Sequence, residues 1–161
     1  MSLHALAESL AHALKEKKWK LVTAESCTGG GLAYWITNIS GSSEWFDRGL
    51  ITYSDKSKEE LLNVNTHTLS EHGAVSEKTA REMAEGALHF SQANVSVAIT
   101  GIAGPGGGSI EKPVGTVWIA IASLEKKTEA NVFIFSGDRF AIREQAIMMV
   151  IEKLLVYLSS Q

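Results

Sequence analysis

Side chains able to act as nucleophiles or bases gather in three short stretches of this sequence. TAESCTGGG, residues 23–31, sets Ser26, Cys27 and Thr28 ahead of three glycines. GSSEWF, residues 41–46, offers Ser42 and Ser43, and YSDKSK, residues 53–58, offers Tyr53, Ser54, Lys56 and Lys58. A serine hydroxyl becomes a nucleophile only when a base takes its proton, commonly a histidine or an amine whose pKa has been depressed by burial. The five histidines, His4, His12, His67, His72 and His89, form no HExxH pattern and pair with no cysteine. That argues against a zinc site and weakens a Ser-His-Asp triad. The lysine route is left, and its best candidate is the cluster Ser42, Ser43, Tyr53, Ser54, Lys56 and Lys58, where a strand end and a helix start can face the serines of GSSEWF. The plain alternative for Lys56 and Lys58 is a pair of solvated charges on a polar helix start. Two S-x-x-K matches, Ser109 with Lys112 and Ser123 with Lys126, fall in a loop and a charged turn and carry little weight. Cys27 at a helix N-terminus would be acidified, although small-residue packing is the commoner role of a lone cysteine.

Two loops are rich in glycine. Gly29, Gly30 and Gly31 let backbone approach a ligand, and the helix start beyond them offers unpaired N–H groups to an anion. TGIAGPGGGS, residues 100–109, repeats that arrangement after a second strand. Neither loop matches GxxxxGK[ST] or GxGxxG, so neither a P-loop nor a Rossmann dinucleotide site is expected. Arg139 and Arg143, four residues apart on the last helix, suit a phosphate clamp, or else pair with Asp138 and Glu144 on its surface.

The elements that must position these groups follow from periodicity. Leu3, Leu6, Leu10 and Leu14 mark an amphipathic helix. WKLVTAES reads as a buried strand, and GGGLAYWITNIS as the helix after it. GLITYS, residues 49–54, predicts a strand, DKSKEELLNV a helix starting near Asp55, and Ser76 the cap of another helix with Ala80, Met83, Ala84, Ala87 and Leu88 facing inward. VSVAITG, residues 95–101, has the continuous apolar character of a central strand. VGTVWIAIAS and ANVFIFSG predict an antiparallel hairpin joined by LEKKTE, and a final helix opens at Asp138. This order fits an α/β fold, a three-layer α/β/α sandwich with a mixed, partly parallel sheet, and one domain over residues 1–161. Ligands collect at the carboxyl ends of strands in such sheets, which are the positions of the motif loops.

Composition narrows the class of function. With 45% hydrophobic and 20% charged residues and a net charge of -3, the chain is globular and lacks the basic surface that nucleic acid requires. No apolar run reaches the roughly 20 residues that cross a bilayer. MSLHALAESLAHALKEKK has no uninterrupted apolar core and is not expected to be a signal peptide, and the single Cys27 excludes an internal disulfide. A cytoplasmic protein acting on a small molecule is the expectation.

TAESCTGG, GSSEWFDRGLITYSDKSK, HGAVSE, ITGIAGPGGGSIEKPVGTVW and FSGDRFAIREQA, in this order, resemble the C-terminal domain family of the competence/damage-inducible protein CinA. The resemblance spans nearly the whole chain. Single-domain members are nicotinamide-nucleotide amidases, so it implies hydrolysis of the carboxamide of nicotinamide mononucleotide to nicotinate mononucleotide and ammonia, in pyridine nucleotide salvage. It implies a Ser-Lys mechanism, with Ser43 as nucleophile, Lys58 as its base and Tyr53 in support. Ser26, Thr100 and Arg139 are implied to line the substrate pocket. Thr28, Gly29, Gly30, Gly101 and Gly104 of the two Gly-rich loops are assigned to substrate binding beside them, and Arg143 joins them by its place in IREQA. The nucleotide is then a substrate and not a cofactor; no cofactor and no metal are expected. Partners reduce to this small molecule, with neither nucleic acid nor membrane, and to a second copy of the chain, a dimer being the favoured homo-oligomer. A non-catalytic nucleotide-binding or regulatory module is the alternative.

Overall fold

The structure, a computed structural model, describes residues 1–160. Five strands, β1 (Leu21–Glu25), β2 (Phe46–Ile51), β3 (Val95–Gly101), β4 (Thr116–Ser123) and β5 (Glu129–Ile134), form one sheet in the order β2-β1-β3-β4-β5. β2, β1 and β3 are parallel, and β4 and β5 complete the sheet antiparallel, as the hairpin signal requires. Helices α1 (Leu3–Lys17), α2 (Gly31–Thr37) and α6 (Arg139–Ser159) carry the core of one face, and α3 (Asp55–Leu62), α4 (Thr66–His72) and α5 (Glu77–His89) that of the other. This is the expected three-layer sandwich. No helix among the described residues is long and apolar enough to cross a membrane.

The two faces differ in side-chain size, and the difference sets how close each helix layer lies. On β3, Val95, Val97 and Ile99 join the core with α1 and α6, while Ala98 joins that of α5. Ala120 and Ala122 of β4 continue this small-residue surface, and Ser96 Oγ donates to the Ala84 carbonyl of α5. Branched residues hold α6 off the sheet; alanines let α5 settle on it. The approach continues outward to α3, because a Cβ at Gly86 of α5 would stand 1.9 Å from the Leu62 carbonyl oxygen. Glycine here fixes the distance to the helix that carries Lys58.

Some element bounds differ from those the sequence predicts. β2 covers residues 46–51 rather than 49–54, because Thr52 and Tyr53 leave the strand and turn their carbonyls toward Lys58. α3 is capped by Ser54, whose hydroxyl accepts from the Ser57 N–H. α4 is an additional helix, capped by Asn65, in a segment whose seven residues, THTLSEH, carry too short an apolar pattern to register. Ser76 and Asp138 cap α5 and α6 as expected, and α2 ends at Thr37, before the 3-10 turn Ser42–Glu44.

Parallel pairing brings the carboxyl ends of β1, β2 and β3 level. Glu25 lies beside Ile51 on one side and Ile99 on the other, and the next residues continue the ladder through Thr52 N–H to Glu25 O and Ser26 N–H to Ile99 O. Gly86→Ala is expected to cost about 1–3 kcal/mol by overpacking α3 against α5, a loss that urea denaturation of the variant measures.

Candidate active site

Ser26 stands at the first position after β1, only 8% exposed. Lys58, at the end of the first turn of α3, is fully buried and reaches back under the end of β2. Its Nζ lies 3.0 Å from Ser26 Oγ, 2.8 Å from the Thr52 carbonyl oxygen and 3.1 Å from the Tyr53 carbonyl oxygen. Burial holds the Lys58 amine below the usual lysine range, against the opposing pull of Asp55. The donor count then has a chemical consequence. A neutral amine carries two hydrogens and one lone pair, and the two carbonyl oxygens can only accept. In that neutral form both hydrogens are committed to the backbone, and the lone pair is left for the Ser26 hydroxyl.

These groups line a cavity of about 260 Å³ with Cys27, Ala74, Val75 and the loop after β3. Of the residues expected at the site, it gathers Ser26, Tyr53, Lys58, Thr100, Gly101, Gly104 and Arg139. Thr100 is fixed by donating through Oγ1 to the Ala74 carbonyl oxygen, 2.9 Å away. Arg139, at the start of α6, donates to the Gly104 carbonyl oxygen at 2.8 Å and to Tyr53 Oη at 3.1 Å. Tyr53, 60% exposed, thus touches both the lysine, through its carbonyl, and the arginine, through its hydroxyl.

Ser43 does not meet Lys58, contrary to the expectation. It sits, exposed, in the 3-10 turn that enters β2, where the Trp45 carbonyl accepts from Leu21 N–H at the start of β1. Lys58 packs at the other end of that strand. Six strand residues at about 3.3 Å each separate the two ends by roughly 20 Å. Thr28, Gly29, Gly30 and Arg143, also expected at the site, do not line the cavity. Thr28 Oγ1 donates to Glu25 Oε1 at 2.6 Å, and Gly29 and Gly30 take left-handed backbone in the turn to α2. Arg143 donates to the carbonyl oxygens of Cys27 and Thr28 at 3.0 and 3.2 Å. Ser109 accepts from Lys112 N–H, and Lys112 Nζ donates to the His72 carbonyl, so that S-x-x-K pair is a loop fastening.

Glu25 is a site residue that the motifs do not point to. Its carboxylate, 1% exposed, accepts from Thr28 Oγ1, Leu32 N–H and Ala33 N–H. A carboxylate ending a short strand with no other charged residue, LVTAE, is the signal that marks it. Main-chain donors near Ser26 divide as well: among the described residues the N–H groups of Cys27 and Thr28 donate to no protein acceptor.

The sequence profile of the CinA C-terminal domain matches residues 3–158. The chain belongs to the CinA C-terminal domain family. Within this family it is 51% identical over 153 residues to a protein of Enterobacter agglomerans named nicotinamide-nucleotide amidohydrolase PncC, an alignment that covers 95% of this chain and 93% of the relative. The protein of the same name from Escherichia coli K12 is 49% identical over 152 residues, 94% and 92% of the two chains. The crystal structure of a competence/damage inducible protein from Agrobacterium tumefaciens superposes with a TM-score of 0.94 at 41% identity, covering 99% of this chain and all of the other. The motifs that carry the resemblance therefore belong to a CinA C-terminal domain whose fold and length the relatives share.

Cys27 bears on which CinA-domain side chain can attack. Burial pushes its thiol up to about 11, and the Glu25 charge adds to the effect. Helix-start acidification does not prevail. In the folded protein Cys27 is expected to react with a thiol reagent such as DTNB at pH 8 far more slowly than in the urea-unfolded chain, and the ratio of the two rates checks it.

Proposed function

We propose that this chain hydrolyses the carboxamide of nicotinamide mononucleotide, with Ser26 as nucleophile and Lys58 as general base, a role suited to pyridine nucleotide salvage. The observation that carries the reading is the buried Lys58 amine 3.0 Å from Ser26 Oγ with its other contacts saturated by carbonyls. The relatives' name supports the substrate. Ser26 replaces Ser43 in the nucleophile's role because only Ser26 touches the lysine.

The chemistry balances with these residues alone. Ser26 Oγ attacks the carboxamide carbon as its proton passes to Lys58 Nζ. The carbonyl oxygen becomes an oxyanion, and the unpaired N–H of Cys27, the cavity-lining residue next to the nucleophile, is a main-chain donor free to hold it. Lys58 then returns the proton to the departing nitrogen, which leaves as ammonia. Water attacks the Ser26 ester, gives its proton to Lys58, and the nicotinate carboxylate leaves as Ser26 takes that proton back. Arg139, exposed at the cavity mouth and tied to Gly104, is the cation placed to receive the 5′-phosphate. A bound pyridinium also favours the neutral form of Lys58, since a second cation in the pocket disfavours an ammonium.

Ammonia release from nicotinamide mononucleotide tests this directly. Ser26→Ala is expected to lower kcat by at least about 1000-fold, and Lys58→Met by about 100-fold or more, with Ser43→Ala at the wild-type rate. In the wild type kcat/KM should rise with pH along a limb whose midpoint lies below the ordinary lysine value of about 10.4. Saturable binding of the nucleotide without turnover would instead assign a binding module.

A further inference from the structure

Glu25 and Arg143 take no part in these steps, yet both bind the turn that carries Ser26. From one side the Glu25 carboxylate collects donors: Thr28 Oγ1 at 2.6 Å and Leu32 N–H at 2.9 Å on one oxygen, and Ala33 N–H at 3.0 Å on the other. From the other side Arg143 gives donors, Nε to Cys27 O at 3.0 Å and a terminal nitrogen to Thr28 O at 3.2 Å. The Ser26 carbonyl is taken by Gly29 N–H, and Gly29, at φ +58°, leaves its missing Cβ 3.4 Å from the same guanidinium. With these bonds made, every carbonyl from Ser26 to Thr28 is occupied. What the turn retains is two free N–H groups, on Cys27 and Thr28, beside the Ser26 hydroxyl.

We infer that Glu25 and Arg143 are positioning residues, a buried anion and a cation that clamp the Ser26–Gly29 turn so that the hydroxyl stays on Lys58 and the free N–H of Cys27, which lines the cavity, faces the developing oxyanion. The inference rests on Ser26 being the nucleophile. It reassigns Thr28 and Arg143 from substrate contact to the support of the reacting group. Geometry of this kind acts on the transition state more than on substrate binding, because the oxyanion exists only there. Loss of the clamp therefore lowers kcat and leaves KM in place.

The test uses Glu25→Gln, Thr28→Val, Thr28→Ser and Arg143→Lys, assayed for ammonia release from nicotinamide mononucleotide and for labelling by a fluorophosphonate. In that labelling Ser26 Oγ bonds to phosphorus, fluoride leaves and the proton passes to Lys58, so the reagent needs the nucleophile and its oxyanion donors but no nucleotide pocket. Wild type is expected to be labelled at Ser26, as peptide mass spectrometry reads. Thr28→Val and Glu25→Gln should lose about 100-fold in both kcat and labelling rate at unchanged KM. Thr28→Ser, which keeps the hydroxyl that reaches Glu25, should recover both rates, and Arg143→Lys should lose rate without a change in KM. Wild type not labelled at Ser26 overturns the nucleophile assignment and the inference with it. Labelled wild type, with Thr28→Val folded and as fast as wild type, overturns the inference alone. So does a loss that appears equally in KM and kcat, or one that Thr28→Ser fails to repair. Should Glu25→Gln not fold, the Thr28 pair decides the matter.

Discussion

One buried amine governs the design of this molecule. Lys58 is enclosed at the junction of β1, β2 and α3, where no carboxylate among the described residues makes a salt bridge with it. An ammonium deprived of water is costly unless paired, and burial therefore shifts the balance toward the neutral amine. Asp55, one turn back on α3, favours the charged form without reversing the outcome. Because the folded-state value lies below the unfolded one, the native state holds fewer protons at this group, and its contribution to stability rises with pH between the two values. The fold thus gains a more readily deprotonated amine at the cost of some stability.

Much of the surrounding architecture serves to keep that amine where it is. β2 ends early so that the carbonyls of Thr52 and Tyr53 face it, and Ser54 starts α3 at once, bringing Lys58 round within one turn. The alanine face of β3 and β4 draws α5 close, and Gly86 brings α3 against α5. Parallel pairing of β1 with both neighbours then sets Ser26 opposite. The glycine-rich loop after β3 is held from two sides, by Arg139 on Gly104 and by Lys112 on the His72 carbonyl. The cavity is the space these constraints enclose.

Helices with a clear apolar stripe, α1, α5 and α6, are legible in the sequence, as are the continuous apolar strand β3 and the hairpin of β4 and β5. Periodicity of burial produces them, and periodicity is a local property. The site is legible in its membership more than in its pairing. Ser43 and Lys58 are fifteen positions apart and Ser26 and Lys58 thirty-two, so proximity along the chain favours Ser43. A strand lies between Ser43 and Lys58, however, and its length holds its two flanks apart. Parallel pairing acts the other way, setting the residues just past the ends of β1 and β2 side by side. Thr28 and Arg143 suggest ligand contacts in the sequence because hydroxyls and guanidinium groups bind phosphates; in the fold their partners are the chain's own carboxylate and carbonyls. Residue type alone does not distinguish a ligand's anion from a buried one.

The central claim is that Lys58 is a depressed amine bonded to Ser26, and nitrogen NMR of the protein labelled with 15N-lysine measures it. The Nζ resonance assigned through Lys58→Met is expected to titrate below the ordinary value of about 10.4, and to move in Ser26→Ala but not in Ser43→Ala. A Lys58 resonance that titrates with the solvent-exposed lysines and ignores Ser26→Ala would contradict the account.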